Sequence, residues 1–221
     1  GADEVRVTLN DNTNYEAEIL GRDPKTDLAV LRINAPQPLP AVSWGDSNNA
    51  RVGDWILAIG NPYGLENPVT VGILSARGRV INAGPYDDFL QTDASINRGN
   101  SGGPMFNIDG QVIGINTAIF SPSGGSVGIG FAIPVHMAMQ LTRQIVEYGD
   151  VRRGRLGVVV QDLTQELTDA LNIEANSGAL ISQVLPNSAA AAAGLREGDI
   201  IIAVNSRNID RKSTRLNSSH W

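Results

Sequence analysis

The densest chemical signal in the chain is the run Gly99-Asn100-Ser101-Gly102-Gly103-Pro104. A serine between glycines on a tight loop exposes its hydroxyl and lets a substrate backbone approach closely. The same loop can aim backbone N–H groups at one point, as the oxyanion of an acyl transfer requires. A phosphate cradle is the rival use of such glycines, but no Gly-Lys-Ser/Thr follows and no helix opens there.

GNSGG also satisfies the G-x-S-x-G pattern of a strand-turn-helix nucleophile elbow. Pro104 is instead followed by MFNIDGQVIGI, which reads as strand, Asp109-Gly110 turn and strand. The elbow order also places an acid and a histidine after the serine, and before the final segment the chain offers only His136 there. In the alternative arrangement two β-barrels share the site and the order is His, Asp, Ser. Asp27, in Thr26-Asp27-Leu28-Ala29-Val30-Leu31, lies 74 residues upstream of Ser101 at the edge of an apolar strand, where a carboxylate could orient an imidazole. Alone, such an Asp would read as a turn former; paired with GNSGGP it reads as an acid.

The residue inventory restricts the chemistry further. The 221 residues contain no Cys and two His, so thiolate nucleophiles, disulfides, cysteine zinc sites and imidazole metal clusters are not expected. Hydroxyls, carboxylates and backbone amides remain, and no metal or cofactor is called for. A net charge of −6 argues against a phosphate-binding basic surface, so nucleic acid is a poor partner. No apolar run has the length of a membrane helix, and GADEVRVTLN lacks the form of a signal peptide. With 42% hydrophobic residues a buried core is expected, and 24 glycines and 11 prolines make it turn-rich.

The elements that must hold Ser101 and Asp27 are mostly short strands. VRVTL (Val5 to Leu9) and YEAEIL (Tyr15 to Leu20) alternate apolar and polar residues across the turn formers NDNTN, which predicts a hairpin. Further strands are expected at Leu28 to Ile33, Trp55 to Ile59, Val69 to Leu74, Phe89 to Thr92, Gln111 to Asn116 and Val127 to Ile133. Many strands without alternating helices predict a barrel or sandwich. One helix follows Pro134 and ends at Gly149, with Ala138, Leu141, Ile145 and Tyr148 on its apolar face. His136 falls on the opposite, polar face and reads as an ordinary solvated residue. A basic linker, VRRGR (Val151 to Arg155), leads to a second unit in which Ser188 or Asn187 caps a short alanine helix that Gly194 ends.

With these motifs in order, the sequence resembles the HtrA/Deg family of trypsin-like serine proteases. The resemblance is carried by DPKTDLAVLRI (Asp23 to Ile33), VGDWILAIGNPYGL (Val52 to Leu65), QTDASINRGNSGGPMFN (Gln91 to Asn107), and GINTAIF with GGSVGIGFAIP (Gly114 to Pro134). It implies an all-β dominated fold: a chymotrypsin/trypsin-like double β-barrel, its first barrel incomplete, followed by a partial PDZ domain. It implies Ser101 as nucleophile, Asp27 as triad acid, and an oxyanion hole from the amides of Gly99 and Ser101. It places regulatory loops at Asn61 to Pro68, Arg77 to Asp88 and Pro122 to Ser126. Ser95, six residues before the nucleophile, corresponds to the floor of the primary pocket, with Thr117, Ala118 and Ile119 on its wall. An uncharged floor implies cleavage after small or medium aliphatic residues rather than Lys or Arg.

The family's base is a His in a T-N-x-H-V motif just before the strand that matches Val5 to Leu9. The triad His is therefore expected to be absent from this chain, which should be nearly inactive while its intact parent is a protease. The second unit resembles the family's PDZ domain through Gly154-Arg155-Leu156-Gly157-Val158 and GLREGDIIIAVN (Gly194 to Asn205). The loop Arg155, Leu156, Gly157, Val158 would present N–H groups to a peptide C-terminal carboxylate. Roughly 55 to 60 residues of that unit are present, so its groove is expected to lack a far wall.

The expected division is residues 1–149, a trypsin-like protease domain lacking its N-terminal part; 150–209, a partial PDZ domain; and 210–221, a non-native tail, since DRKSTRLNSSH reads as a translated sequencing adapter. The resemblance implies an ATP-independent periplasmic endopeptidase that degrades unfolded or misfolded proteins and can hold them as a chaperone. It also implies assembly as a homotrimer or larger in the intact parent. The alternative from another class is a non-catalytic peptide-binding or holdase protein on the same scaffold.

Overall fold

The computed structural model describes residues 4–61, 69–121, 124–164, 166–168, 178–204 and 207–209. These described residues fall into two compact units, one within 1–81 and 88–151 and the other within 82–87 and 152–221.

The first unit opens with three antiparallel strands, β1 (Val5–Thr8), β2 (Asn14–Asp23) and β3 (Leu28–Ile33), in the order β1-β2-β3. The expected hairpin forms with Thr8 opposite Asn14. Asn12 takes the left-handed conformation at φ 65° and donates to the Leu9 carbonyl, a role for which Asn is suited.

Seven further strands follow: β4 (Ser43–Trp44), β5 (Trp55–Ile59), β6 (Val69–Arg79), β7 (Phe89–Thr92), β8 (Pro104–Asn107), β9 (Gln111–Ile119) and β10 (Gly130–Pro134). Their order is β10-β7-β6-β5-β8-β9-β4, and β10 also pairs with β9, so six of them close into a barrel with β4 added in parallel to β9. Closure leaves those six strands without a free edge. Period-two alternation fills the interior: Ile56 and Ala58 of β5 are fully buried, while Trp55 between barrel and solvent is 61% exposed. Leu74, Leu90, Ile96, Met105 and Ile113 complete the core with them.

The helix α1 spans Val135–Tyr148 and ends at Gly149, whose φ of 75° and N–H bond to the Ile145 carbonyl form the expected C-terminal stop. Val135, Ala138, Leu141 and Ile145 are buried, and the last two pack with Val151 and with Leu20, Leu28 and Val30 of β2 and β3. A Cβ on Gly21 would stand 2.4 Å from the Gly149 carbonyl oxygen, so strand and helix can meet this closely only at glycine. Two details of the helix differ from expectation. Tyr148 is 45% exposed and lies outside the apolar face. His136 is half-buried rather than solvated, because its backbone N–H donates to Ser47 Oγ (3.1 Å) and its Nδ1 lies 2.7 Å from the same oxygen. Ser47, fully buried and 89 residues away, thus does for α1 what a local cap does elsewhere.

In the second unit, β11 (Val158–Asp162), β12 (Ala179–Val184) and β13 (Ile200–Ile201) form an antiparallel sheet in that order. The short helix α2 (Ala189–Ala192) is capped by Ser188, whose Oγ accepts from the Ala191 N–H. Val158, Ile181 and Ala190 form the unit's core with Leu156, Val160 and Leu195. In the same unit the Arg153 guanidinium lies 4.3 Å above the Tyr86 ring.

Candidate active site

The loop that carries Ser101 is built from consecutive tight turns. Asn100 N–H donates to the Asn97 carbonyl and Gly103 N–H to the Asn100 carbonyl. Gly99 and Gly102 stand at φ 100° and 87°, conformations that side chains rarely tolerate. Gly103 is required for a different reason: a Cβ there would lie 2.1 Å from the Ile59 carbonyl oxygen. The loop therefore rests directly on the end of β5. It is also stitched to β9, since Gly102 N–H donates to the Asn116 carbonyl (2.8 Å) and Asn116 N–H to the Gly103 carbonyl (2.9 Å).

This support leaves the Ser101 side chain exposed, with its hydroxyl donating to the Thr117 carbonyl at 3.0 Å. Neither the Gly99 nor the Ser101 amide donates to a carbonyl or side chain among the described residues. Both of these N–H groups are thus uncommitted among the described residues.

Asp27 reaches the same place from the tip of the β2–β3 hairpin. Asp23, Pro24, Lys25 and Thr26 make a turn closed by Thr26 N–H to the Asp23 carbonyl, and the Thr26 hydroxyl bonds the Asp23 carboxylate. Asp27 follows in the left-handed conformation, φ 58°, which Asp tolerates better than most residues. Its Oδ2 accepts a hydrogen bond from the Thr117 hydroxyl at 3.1 Å.

Thr117 is therefore the joint between the two predicted catalytic side chains, and a β-bulge puts it there. Ala118 pairs with Phe131 and Asn116 with Ala132, which leaves Thr117 without an opposite residue on β10. A bulge of this kind re-aims a side chain, here toward Asp27. The family resemblance places Thr117 only on a pocket wall. Its bridging role carries no local sign, because the bulge exists only in the register between β9 and β10.

Of the other expected pocket residues, Ser95 is exposed and its carbonyl accepts a long bond from Asn100 Nδ2 (3.5 Å). Ala118 and Ile119 are half-buried, Ile119 packing on the barrel core. The loop expected at Asn61 to Pro68 lies outside the described residues beyond Asn61, as do the first two residues of Pro122 to Ser126. In the Arg77 to Asp88 loop, Arg77 donates to the Ser47 and Asn48 carbonyls, and the Asp87 carboxylate accepts from the amides of Ala83 and Gly84. In the second unit the Gly157 carbonyl accepts from Leu185 N–H and the Leu156 carbonyl from Ala190 N–H. Arg155 is exposed, Leu156 half-buried and Val158 buried. Among the described residues, no group of three or more acidic or histidine side chains converges as a metal site would require.

Residues 1–115 match the trypsin-like peptidase domain, and residues 144–214 match the PDZ domain. The chain belongs to the trypsin-like peptidase family. Within that family it resembles the HtrA type. It is 52% identical over 208 residues to the probable periplasmic serine endoprotease DegP-like of Brucella suis, covering 94% of this chain and 40% of that protein. It is 51% identical over 206 residues to the periplasmic serine endoprotease DegP of Escherichia coli, covering 93% and 44%. Among solved structures, the HtrA-type protease AlgW with tripeptide superposes with a TM-score of 0.83 at 48% identity, covering 94% of this chain and 69% of that one. The chain thus spans about 40–44% of the length of these two endoproteases. The HtrA/Deg resemblance and the trypsin-like-plus-PDZ architecture read from the motifs are borne out.

Proposed function

We propose that the protein to which this trypsin-like peptidase chain belongs is an ATP-independent serine endopeptidase of the HtrA type. It cleaves unfolded or misfolded proteins in the bacterial periplasm and can also hold them as a chaperone. The observation that carries this reading is the convergence of Ser101 and Asp27 on Thr117, with two uncommitted amides beside the serine.

Ser101 Oγ attacks the peptide carbonyl and its proton passes to an imidazole, which then protonates the leaving amine as the acyl-enzyme forms. Water, deprotonated by the same imidazole, releases the second product. The amides of Gly99 and Ser101 hold the oxyanion, and Asp27 orients the imidazole. We assign that imidazole to a histidine on a segment preceding β1. Within the 221 residues, His136 has its ring bonded to Ser47 and His220 lies outside the described residues. The 221-residue chain alone should therefore turn over substrate poorly.

Ser95, Thr117, Ala118 and Ile119 line the primary pocket, which prefers small or medium aliphatic side chains; Ser95→Asp should begin to admit Lys and Arg. The loop Arg155 to Val158 receives a peptide C-terminus that extends along β11, a reading supported by β11 standing at the edge of its sheet among the described residues. Assembly as a homotrimer or larger is supported by an apolar outer barrel face, where Trp55, Val69 and Val71 are each more than half exposed and Leu57 pairs with Val71, Ile59 with Val69.

The test is casein degradation by the chain extended upstream through its gene. Degradation that falls on the order of 10⁴-fold or more in Ser101→Ala supports the reading. Degradation indifferent to Ser101→Ala, or none at all from a histidine-bearing chain, would overturn it.

A further inference from the structure

Asn116 stands one residue before Thr117 on β9 and is wholly buried. Its Nδ2 donates to carbonyls of two other strands, Ile59 of β5 at 3.3 Å and Pro104 of β8 at 3.4 Å. Its backbone makes the two bonds that stitch β9 to Gly102 and Gly103 of the nucleophile loop. One side-chain residue thus ties together both strands beneath the loop, the loop itself and the strand that bears the bulge.

The arrangement is costly. Asn116 Oδ1 is buried and has no hydrogen-bond partner among the described residues. An unpaired buried amide oxygen is unfavourable, and an apolar side chain at the same place would avoid it. A local conflict of this kind is expected where a residue serves the site rather than the core.

We propose that Asn116 is a positioning residue for the hydrolysis: it locks the bulge so that Thr117 offers its carbonyl to Ser101 and its hydroxyl to Asp27 at the same time. The reason is register. If the bulge relaxed and Thr117 paired regularly with β10, the side chains beyond it would shift by one place, and a shift of one reverses the face to which each points. The Thr117 hydroxyl would leave Asp27, and the acid would lose the donor that fixes its carboxylate. The Nδ2 bonds to Ile59 and Pro104 oppose this slip because they hold Asn116 facing inward.

This proposal rests on the serine-protease reading, and two measurements on Asn116→Ala keep the two apart. In the upstream-extended chain, kcat is expected to fall tenfold or more as the reacting groups lose alignment, and KM is expected to rise with it, because Ala118 and Ile119 of the pocket wall move with the bulge. In the 221-residue chain, amide hydrogen exchange at Gly102 is expected to quicken at least tenfold, with the β1–β2 amides unchanged. An unchanged kcat, or exchange that rises equally throughout the barrel, overturns the proposal, because the residue would then act on global stability alone. If the extended chain shows no Ser101-dependent turnover, the protease reading fails and Gly102 exchange alone decides; unchanged exchange there overturns the role of Asn116 as well.

Discussion

The Thr117 hydroxyl donates to the Asp27 carboxylate at 3.1 Å across 90 residues of sequence, and the carbonyl of the same threonine receives the Ser101 hydroxyl. Asp27 comes from a hairpin tip and Ser101 from the barrel. One bulged residue therefore sets the distance between an acid and a nucleophile that neither element could set alone.

Thr117→Val keeps the shape of the side chain and deletes its donor. A hydrogen bond to a charged group is worth about 1.5–3 kcal/mol, so kcat of the extended chain should fall about 10- to 100-fold. Thr117→Ser should stay within a few-fold of the parent. Steady-state kinetics on a peptide with an aliphatic residue at the cleaved bond checks both, and equal activity of Val and Ser variants would show that the bond does not act in catalysis.

Gly103→Ala should disrupt the loop. Its new Cβ would meet the Ile59 carbonyl oxygen at 2.1 Å and the Asn100 carbonyl oxygen at 3.0 Å, both backbone atoms that cannot swing aside. A loss of about 1–3 kcal/mol is expected. Gly125→Ala is the control, since nothing lies within 4 Å of its Cβ position. Urea titration of the two variants should separate them; matching midpoints would contradict the packing described.

Ser47→Ala removes the oxygen that takes the His136 N–H and contacts the His136 ring. Loss of a helix cap costs about 1–2 kcal/mol. The urea midpoint should drop with little change in slope, as expected when native stability alone is altered.

Asp54 supplies a pH dependence. Its carboxyl is held below the ordinary aspartate value, chiefly by the Arg51 backbone N–H at 2.8 Å and also by the Arg51 guanidinium. Because the folded value is the lower one, the contribution to stability is complete above the unfolded value of about 4 and is lost as pH falls through the folded value. The melting advantage of the parent over Asp54→Asn should therefore be present near pH 6 and shrink toward about pH 3. An NMR titration that placed the Asp54 midpoint at or above the ordinary value would refute this.

Much of the fold was legible because its signals are local. Alternation located Leu28–Ile33, Trp55–Ile59 and Phe89–Thr92 to the residue, and Pro134 with Gly149 bounded α1. Alternation did not show where a strand ends when pairing carries it further, so β6 runs on to Arg79 and β9 to Ile119. Nor did it show the two-residue β4, which exists only by pairing with β9.

The sequence by itself determined most of the strands, the turns and the motifs around Ser101 and Asp27, because side-chain periodicity and the φ preferences of Gly, Pro, Asn and Asp act within a few residues. Only the tertiary structure decided that Ser47 caps α1, that Asn116 is buried with an unpaired oxygen, and that Thr117 joins the acid to the nucleophile. Those relationships depend on the register between strands distant in sequence, and a shift of one residue in that register would leave every local signal intact while turning Thr117 away from Asp27.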